Sequence, residues 1–184
     1  MSVNDPVSIV QNKGAIGTWS LDGSSSQVEF AAKTFWGLLT VKGRFTDVDG
    51  QVQVDGPGSV NARLVIEVAS LDTKQTKRDE HLRSSDFFDA EHHPRMEIAV
   101  DEIELTGLDR AAAQGRMTVA GQTHPISFDA TVTLAPDGQR VELDASIEVD
   151  RTDFGMTWSP MGMVRRAVRG SAHLVLNHAE PSAK

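Results

Sequence analysis

Four residues within eight positions carry side chains that could hold a metal ion: Asp86, Asp89, His92 and His93. Carboxylate and imidazole groups are common ligands of divalent cations. The alternative is that the two aspartates cap helices or turns and that the two histidines lie in a solvated loop. Because no longer ligand pattern accompanies them, we predict capping and no metal site.

Two other patterns resemble pieces of catalytic sites. Asp153, Phe154 and Gly155 match the metal-binding triplet of protein kinases, but no glycine-rich loop, strand lysine or catalytic-loop signature accompanies them. His81 could act as a base, yet no serine at nucleophile-elbow spacing lies beside it. The chain contains no cysteine, which excludes thiolate chemistry and disulfides. We therefore predict no catalytic residues, no cofactor and no enzymatic activity.

Length and charge narrow the class of protein. The 184 residues fit one domain, and the formal net charge of −8 disfavours a nucleic-acid or anionic-membrane partner. Arg165, Arg166 and Arg169 form a basic cluster within this acidic chain. We interpret the cluster as the solvent-exposed start of a strand. No run approaches the roughly 18 apolar residues of a membrane span, and residues 1–15 lack a secretory pattern. The sequence predicts a cytoplasmic protein that does not span a membrane.

Most of the chain alternates apolar and polar residues with a period of two, which indicates half-buried β-strands. The alternation is clearest over residues 126–134, 141–149 and 168–176. Earlier strands are predicted at 19–21, 27–33, 38–45, 48–54, 59–70, 95–105 and 114–120. The residues from Asp47 to Gly50 predict a hairpin turn between the strands 38–45 and 48–54.

One segment, at about residues 73–89, breaks the β pattern. It is rich in helix formers and contains no alternation, so it predicts a short helical insert. Ser84 to Asp86 offer capping groups for a turn that carries Phe87 and Phe88. Both phenylalanines are expected to be buried.

Strands with one apolar face and no long helix to cover it must roll up around that face, so we predict an all-β antiparallel barrel. Its inward positions include many small residues, namely Ala32, Ala62, Ala130, Ala145, Gly170 and Ala172. Two alternatives follow: larger neighbours fill the space above these residues, or a cavity holds an apolar ligand. None of the predicted inward sets contains an ionisable residue, which suits a hydrocarbon and argues against an enzyme.

Several segments in order resemble the YceI-like family of lipocalin-like, polyisoprenoid-binding proteins. They are GTWSLD at 17–22, VKGRF at 41–45, RDEHLRSSDFFD at 78–89, HP at 93–94, GRMTVAG at 115–121, THPI at 123–126 and RTDFG at 151–155. The resemblance implies an extended eight-stranded antiparallel barrel, residues 16–178, that the insert at 73–89 caps at one end. A flexible extension at 1–15 and a tail at 179–184 complete the predicted organisation. Many members of the family are exported, whereas this chain shows no signal pattern.

The resemblance also implies a long interior tunnel for an isoprenoid, an isoprenoid quinone or a fatty-acid-like amide. The predicted function is non-enzymatic binding, storage or transport of such a ligand, with a homodimer possible. The alternatives are a filled barrel that serves as a stress-response or interaction module, and an enzyme that acts on an isoprenoid lipid.

Two sets of site residues follow from these expectations. The tunnel lining is predicted to comprise Phe30, Ala62, Leu64, Ile66, Val68, Phe87, Phe88, Ile98, Phe128, Ala130, Leu143, Ala145 and Ile147. A lid latch or a head-group contact is predicted at Arg78, His81, Asp86, Arg151 and Asp153, because the family pattern brings the insert close to the segment that begins at Arg151.

Overall fold

The alternating segments form a single antiparallel sheet that closes on itself. The computed structural model describes residues 16–56, 59–107 and 109–179. Over these ranges the strands are β1 (Gly17–Leu21), β2 (Gln27–Thr34), β3 (Leu39–Phe45), β4 (Val48–Gly56), β5 (Ser59–Glu67), β6 (Leu71–Asp72), β7 (Arg95–Leu105), β8 (Arg110–Val119), β9 (Gln122–Leu134), β10 (Arg140–Asp150) and β11 (Ala167–His178). One α-helix, α1 (Thr76–Arg83), lies between β6 and β7. The predicted extension at 1–15 and residues 180–184 of the predicted tail lie outside the described residues.

The eleven strands make an eight-stranded barrel because three of its strands are each divided in two. β11 pairs with β10 along one side, and its other side pairs first with β2 and then with β1. β1 and β2 are therefore two halves of one barrel strand. β3 with β4 and β5 with β6 are divided in the same way, since β2 pairs with β3, β1 with β4, β4 with β5 and β3 with β6. The predicted eight-stranded antiparallel barrel is confirmed.

The predicted hairpin between β3 and β4 is wrong. These two strands do not pair with each other, and Gly50 lies inside β4 opposite Leu64. A side chain at Gly50 would come within 2.9 Å of the Arg63 carbonyl oxygen. The glycine is thus required by the close approach of two backbones and not by a turn, and the two signals look alike in a sequence.

The two ends of the barrel are built differently. One end, here called the insert end, carries the connection at residues 35–38 and the two long connections at 68–94 and 151–166. The other end, here called the turn end, holds shorter connections, the start of β1 and the end of β11. The helical insert was predicted at 73–89, and α1 with the turns after it occupies this region.

The buried apolar residues fall into two clusters. The larger one includes Phe45, Ile66, Met96, Phe154 and Met156 and reaches Phe87 and Phe88 of the insert. The smaller one, at the turn end, consists of Trp19, Val54, Val60, Val141 and Leu176. Residues of both clusters face one interior space.

Candidate functional site

The barrel encloses a cavity of about 490 Å³. Its lining extends from Trp19 and Leu176 at the turn end to Phe87 and Trp158 at the insert end. The cavity therefore runs along most of the barrel. Ligand pockets in proteins commonly measure about 300–1,000 Å³, so the space is large enough for a small molecule.

One part of the lining is a row of four alanines on neighbouring strands. Ala111 lies opposite Ala130, Ala130 opposite Ala145, and Ala145 opposite Ala172. All four face the cavity. A methyl group cannot reach across a barrel of eight strands, so this row leaves interior volume that larger side chains would otherwise fill. Ala111 was not predicted, because the sequence pattern indicates this strand only from about Gln114.

The structure places all but one of the predicted tunnel residues on the cavity wall. They are Phe30, Ala62, Leu64, Ile66, Phe87, Phe88, Ile98, Phe128, Ala130, Leu143, Ala145 and Ile147. Val68 is the exception. β5 ends at Glu67, and the 3-10 turn Val68–Ser70 takes the Val68 side chain off the inward register into the packed cluster below the insert. That the other residues contact a ligand stays a prediction.

A buried hydrogen-bond network joins helix α1 to Thr73, the residue that follows β6. The Asp79 carboxylate is buried and accepts bonds from the Thr73 amide at 2.9 Å and the Thr73 hydroxyl at 2.5 Å. Arg78 donates to the same hydroxyl and to the Thr73 carbonyl, both at 2.8 Å. Arg78 thus lines the cavity while bonding within its own insert. Thr73 and Asp79 were not predicted, since an aspartate among the charged residues of a short helix gives no sign of burial.

His81 and Asp86 form a pair at the insert end. His81 Nε2 lies 2.8 Å from an Asp86 carboxylate oxygen, and the His81 ring also lines the cavity. The ring meets Trp158 edge-on at a centroid distance of 4.6 Å and Phe87 at 5.2 Å. The predicted capping by Asp86 is wrong, because its carboxylate serves this histidine. Trp158 was not predicted, since the segment around it has no regular pattern.

Arg151 is a buried clamp for the loop that follows it. Its guanidinium donates to the carbonyl oxygens of Arg165 at 3.0 Å, Val164 at 3.1 Å and Met156. Burial lowers the pKa of this guanidinium from its usual value. The predicted direct latch between Arg151 and the insert is corrected accordingly: these bonds hold residues 156–165, and the aromatic contacts of Trp158 connect that loop to the insert.

Asp153 does not take part in this arrangement. Its side chain is exposed and is not among the described residues that line the cavity. The expectation of an uncharged lining is also wrong. Glu29 of β2 and Arg63 of β5 are among the lining residues, and Arg78, His81 and Arg151 reach the cavity at the insert end.

The candidate metal ligands separate into smaller groups. Asp89 pairs with His92 at 2.9 Å, which raises the pKa of His92 above its ordinary value through that hydrogen bond. Asp89 caps no helix, so this part of the capping prediction is wrong. Within the ranges that the structure describes, no three histidine or carboxylate side chains come together as metal ligands.

Comparison with known proteins identifies the fold and the family. The family model described as a YceI-like domain matches residues 19–176. The chain belongs to the YceI-like family. A UPF0312 protein of Pseudomonas aeruginosa is 30% identical over 141 residues, which cover 73% of each chain. A UPF0312 protein of Vibrio cholerae is also 30% identical over 141 residues, covering 73% of this chain and 74% of that one.

Solved structures of the YceI-like family and its neighbours share the barrel. BcnA of Burkholderia cenocepacia superposes with a TM-score of 0.76 at 23% identity, covering 84% of this chain and 98% of that one. The YceI protein of Campylobacter jejuni gives a TM-score of 0.70 at 25% identity, with coverage of 78% and 88%. A domain of Saccharophagus degradans described as polyisoprenoid-binding gives 0.72 at 15% identity, with coverage of 88% and 98%.

Among the residues described here, no helix has both the length and the apolar character needed to cross a bilayer.

Proposed function

We propose that this YceI-like protein binds a long-chain isoprenoid or a related amphiphile inside its barrel, without catalysis. The observation that carries the proposal is the cavity of about 490 Å³, where the row of alanines across four neighbouring strands leaves interior volume unfilled. An empty apolar space in a protein core is destabilising, and a hydrocarbon ligand would offset that cost. The structural likeness to a domain described as polyisoprenoid-binding supports the same ligand class.

The shape of the cavity favours an extended ligand. Its wall is largely apolar between the two ends, with Leu64, Ile98, Phe128 and Leu143 among the lining residues. Each methylene that leaves water contributes about 0.8 kcal/mol, so a long chain gains affinity along its whole length. Part of that gain is lost in ordering the chain.

The insert end suits the polar head of such a ligand. His81, Phe87 and Trp158 form an aromatic group there, with Arg78 close to the same wall. A quinone ring or an amide could pack against these rings while its tail lies in the barrel. We propose this orientation, with the head at the insert end, for either ligand type.

Two further parts of the proposal concern use and place in the cell. We propose storage or transport of the ligand, because loops and the helical insert, and not strands, cover the insert end and offer a route for exchange. The cytoplasmic location expected from the sequence stays a prediction, and fractionation of cells with an antibody to the protein tests it.

Native mass spectrometry of protein purified without denaturation tests binding directly. We expect a mass excess that organic extraction converts into one class of long-chain lipid, and uptake of an added isoprenoid quinone by stripped protein. Ala145→Trp should fill the cavity and abolish uptake, whereas Glu148→Trp places the same ring at an exposed position of the same strand, outside the cavity lining, and should leave uptake unchanged. A barrel that takes up no quinone and carries no lipid would support the alternative of an interaction module.

A further inference from the structure

The insert end carries an exposed apolar surface that the cavity does not account for. Two neighbouring loops form it, and we call it the loop-tip patch. Its most exposed members are Leu38 at 84% and Met161 at 79%, followed by Trp36 at 56%, Leu39 at 55% and Phe35 at 48%. Large side chains at this exposure on adjacent loops are unusual for a surface that faces only water.

The two loops are held together by main-chain bonds. The Trp36 amide donates to the Met163 carbonyl at 3.2 Å, and the Arg165 guanidinium donates to the Trp36 carbonyl at 3.1 Å. The Arg165 amide in turn donates to the Lys33 carbonyl at 2.9 Å. The patch is therefore one surface and not two independent tips.

The backbone of these loops turns the side chains outward at a conformational cost. Phe35, Trp36 and Met161 adopt positive φ angles of 49°, 55° and 49°. Bulky residues rarely adopt this left-handed conformation, and such outliers concentrate at functional sites. Folding stability alone does not explain an unfavourable conformation that exposes a tryptophan and a methionine.

The charge around the patch is opposite to that of the whole protein. Residues 31–42 and 156–169, which contain both loops, carry Lys33, Lys42, Arg165, Arg166 and Arg169 and no aspartate or glutamate. The chain as a whole has a net charge of −8. Arg166 is paired with Asp150 at 2.9 Å, and the other four cations form no ion pair among the described residues. Exposed aromatic and aliphatic tips surrounded by lysine and arginine complement the interface of a bilayer that contains anionic lipid.

The patch also borders the cavity. Three residues close to the patch in the chain also line the cavity wall: Thr34, Trp158 and Val164. Leu39 lies opposite Thr34 in the β2–β3 pairing, so it stands on the inward face at the rim. A bilayer that contacts the patch would thus meet the barrel where its interior is reached.

We propose that the loop-tip patch docks this protein on the surface of an anionic bilayer, with the insert end facing the lipid. The docking surface exists whatever occupies the barrel. Its consequence, exchange of the ligand with the membrane and not with free solution, rests on the proposed function. The overall negative charge then orients the molecule, because it repels the bilayer everywhere except at the patch.

Vesicle co-sedimentation tests the docking step. We expect the protein to bind vesicles of 70% phosphatidylcholine and 30% phosphatidylglycerol, with a blue shift of tryptophan fluorescence, and to bind pure phosphatidylcholine at least tenfold more weakly. The variant Leu38→Asp with Met161→Asp should lose at least tenfold in binding, and neither side chain lines the cavity. Ile16→Asp is the control, since Ile16 is exposed at the turn end. Absence of binding by the wild type, or unchanged binding by the double variant, would overturn the proposal.

Two further readouts separate this proposal from others. Size-exclusion chromatography should give the same elution for the wild type and the double variant; loss of a dimer in the variant would instead assign the patch to a second copy and overturn docking. Uptake of an isoprenoid quinone added from ethanol should be equal in both, whereas uptake from quinone-loaded vesicles should fall at least tenfold in the variant. If no protein takes up quinone from ethanol while vesicle binding persists, the proposed function fails and the docking surface stands.

Discussion

The Trp158 ring lies edge-on to the His81 ring at 4.6 Å, and this contact joins the loop at 156–165 to the helical insert. Phe87 completes the group at 5.5 Å from Trp158. An edge-to-face aromatic pair contributes about 0.5–1.5 kcal/mol beyond its buried area. The side chains of Trp158, His81 and Phe87 therefore couple the two segments that close the insert end.

Replacing Trp158 with alanine should loosen the insert and leave the barrel folded. We expect faster amide exchange over residues 78–89 and faster release of a bound ligand, because both ring contacts are lost. Trp158→Phe retains an apolar ring, so its amide exchange and its ligand release should be intermediate between those of the wild type and the alanine variant. Exchange at the wild-type rate in the alanine variant would show that the insert is held by its own network alone.

Removing the Arg151 guanidinium should destabilise the loop after it. Three carbonyl oxygens lose their donor in Arg151→Met, which keeps most of the side-chain length, and we expect a loss on the order of 3 kcal/mol in unfolding free energy. Amide exchange should rise first over residues 156–165, and over the insert only to a smaller extent. Arg151→Lys should recover part of the loss, since one ammonium reaches fewer carbonyls than the planar fork. Equal amide exchange in the wild type, Arg151→Met and Arg151→Lys would contradict the role of Arg151 in holding this loop.

Gly43 should not tolerate a side chain. It lies opposite Phe30 in the β2–β3 pairing, and a Cβ atom there would come within 2.5 Å of the Phe30 ring and 2.8 Å of a Thr73 methyl carbon. We expect Gly43→Ala to cost about 1–3 kcal/mol, because the ring that covers the glycine must move. Gly56→Ala is the matched control, since it meets open space. Thermal unfolding measures the melting temperature of each variant. Equal melting temperatures for Gly43→Ala and Gly56→Ala would contradict this prediction.

The buried Asp79 should contribute through its charge as well as its hydrogen bonds. Asp79→Asn keeps an acceptor for both Thr73 donors, so we expect a loss of about 1 kcal/mol, and Asp79→Ala about 3 kcal/mol. The exposed Asp153→Asn should change the unfolding free energy by less than about 0.5 kcal/mol. Urea unfolding followed by tryptophan fluorescence measures all three. If Asp79→Ala had the unfolding free energy of the wild type, the insert would not depend on this network.

His92 should titrate above the ordinary histidine value of about 6.5. The hydrogen bond and charge of Asp89 raise its folded-state pKa, so the pair stabilises the fold at pH values below the unfolded pKa. That contribution is lost as the pH rises through the folded pKa. Histidine side-chain resonances followed by NMR measure the shift, and Asp89→Asn should move the His92 pKa back towards its ordinary value. Identical titration curves would show that the pair does not form in solution.

The strands and the inward sets could be predicted because each strand has one buried face. The alternation at 141–149 places Leu143 and Ala145 on the cavity wall, as observed. Val68 was misplaced since a 3-10 turn interrupts the register after Glu67, and no residue type announces that turn. The β3–β4 connection was misread for a similar reason, because a glycine needed for close approach and one needed for a turn are the same residue.

The polar half of the site lay beyond prediction for a different reason. Arg151 bonds to carbonyls 5–14 residues ahead, and Asp79 bonds to a threonine six residues back. Backbone carbonyls leave no trace in a sequence, so an arginine that serves them looks like one that faces water. The resemblance located Arg78, His81 and Arg151 at the correct end of the barrel, but it could not distinguish which segment each one holds.

Closure of the barrel has a consequence for how the chain folds. β7 to β10 are consecutive neighbours joined by short connections, whereas the seam pairs Trp19 with His178, residues from opposite ends of the sequence. Long-range pairing pays a larger loop-closure entropy than local pairing, so the meander should assemble early and the seam late. Until then β4 and β11 each present an open edge, and such edges recruit strands from other chains. The half-folded barrel is thus the species most prone to aggregate, and β1 protects the finished molecule by covering both edges at once.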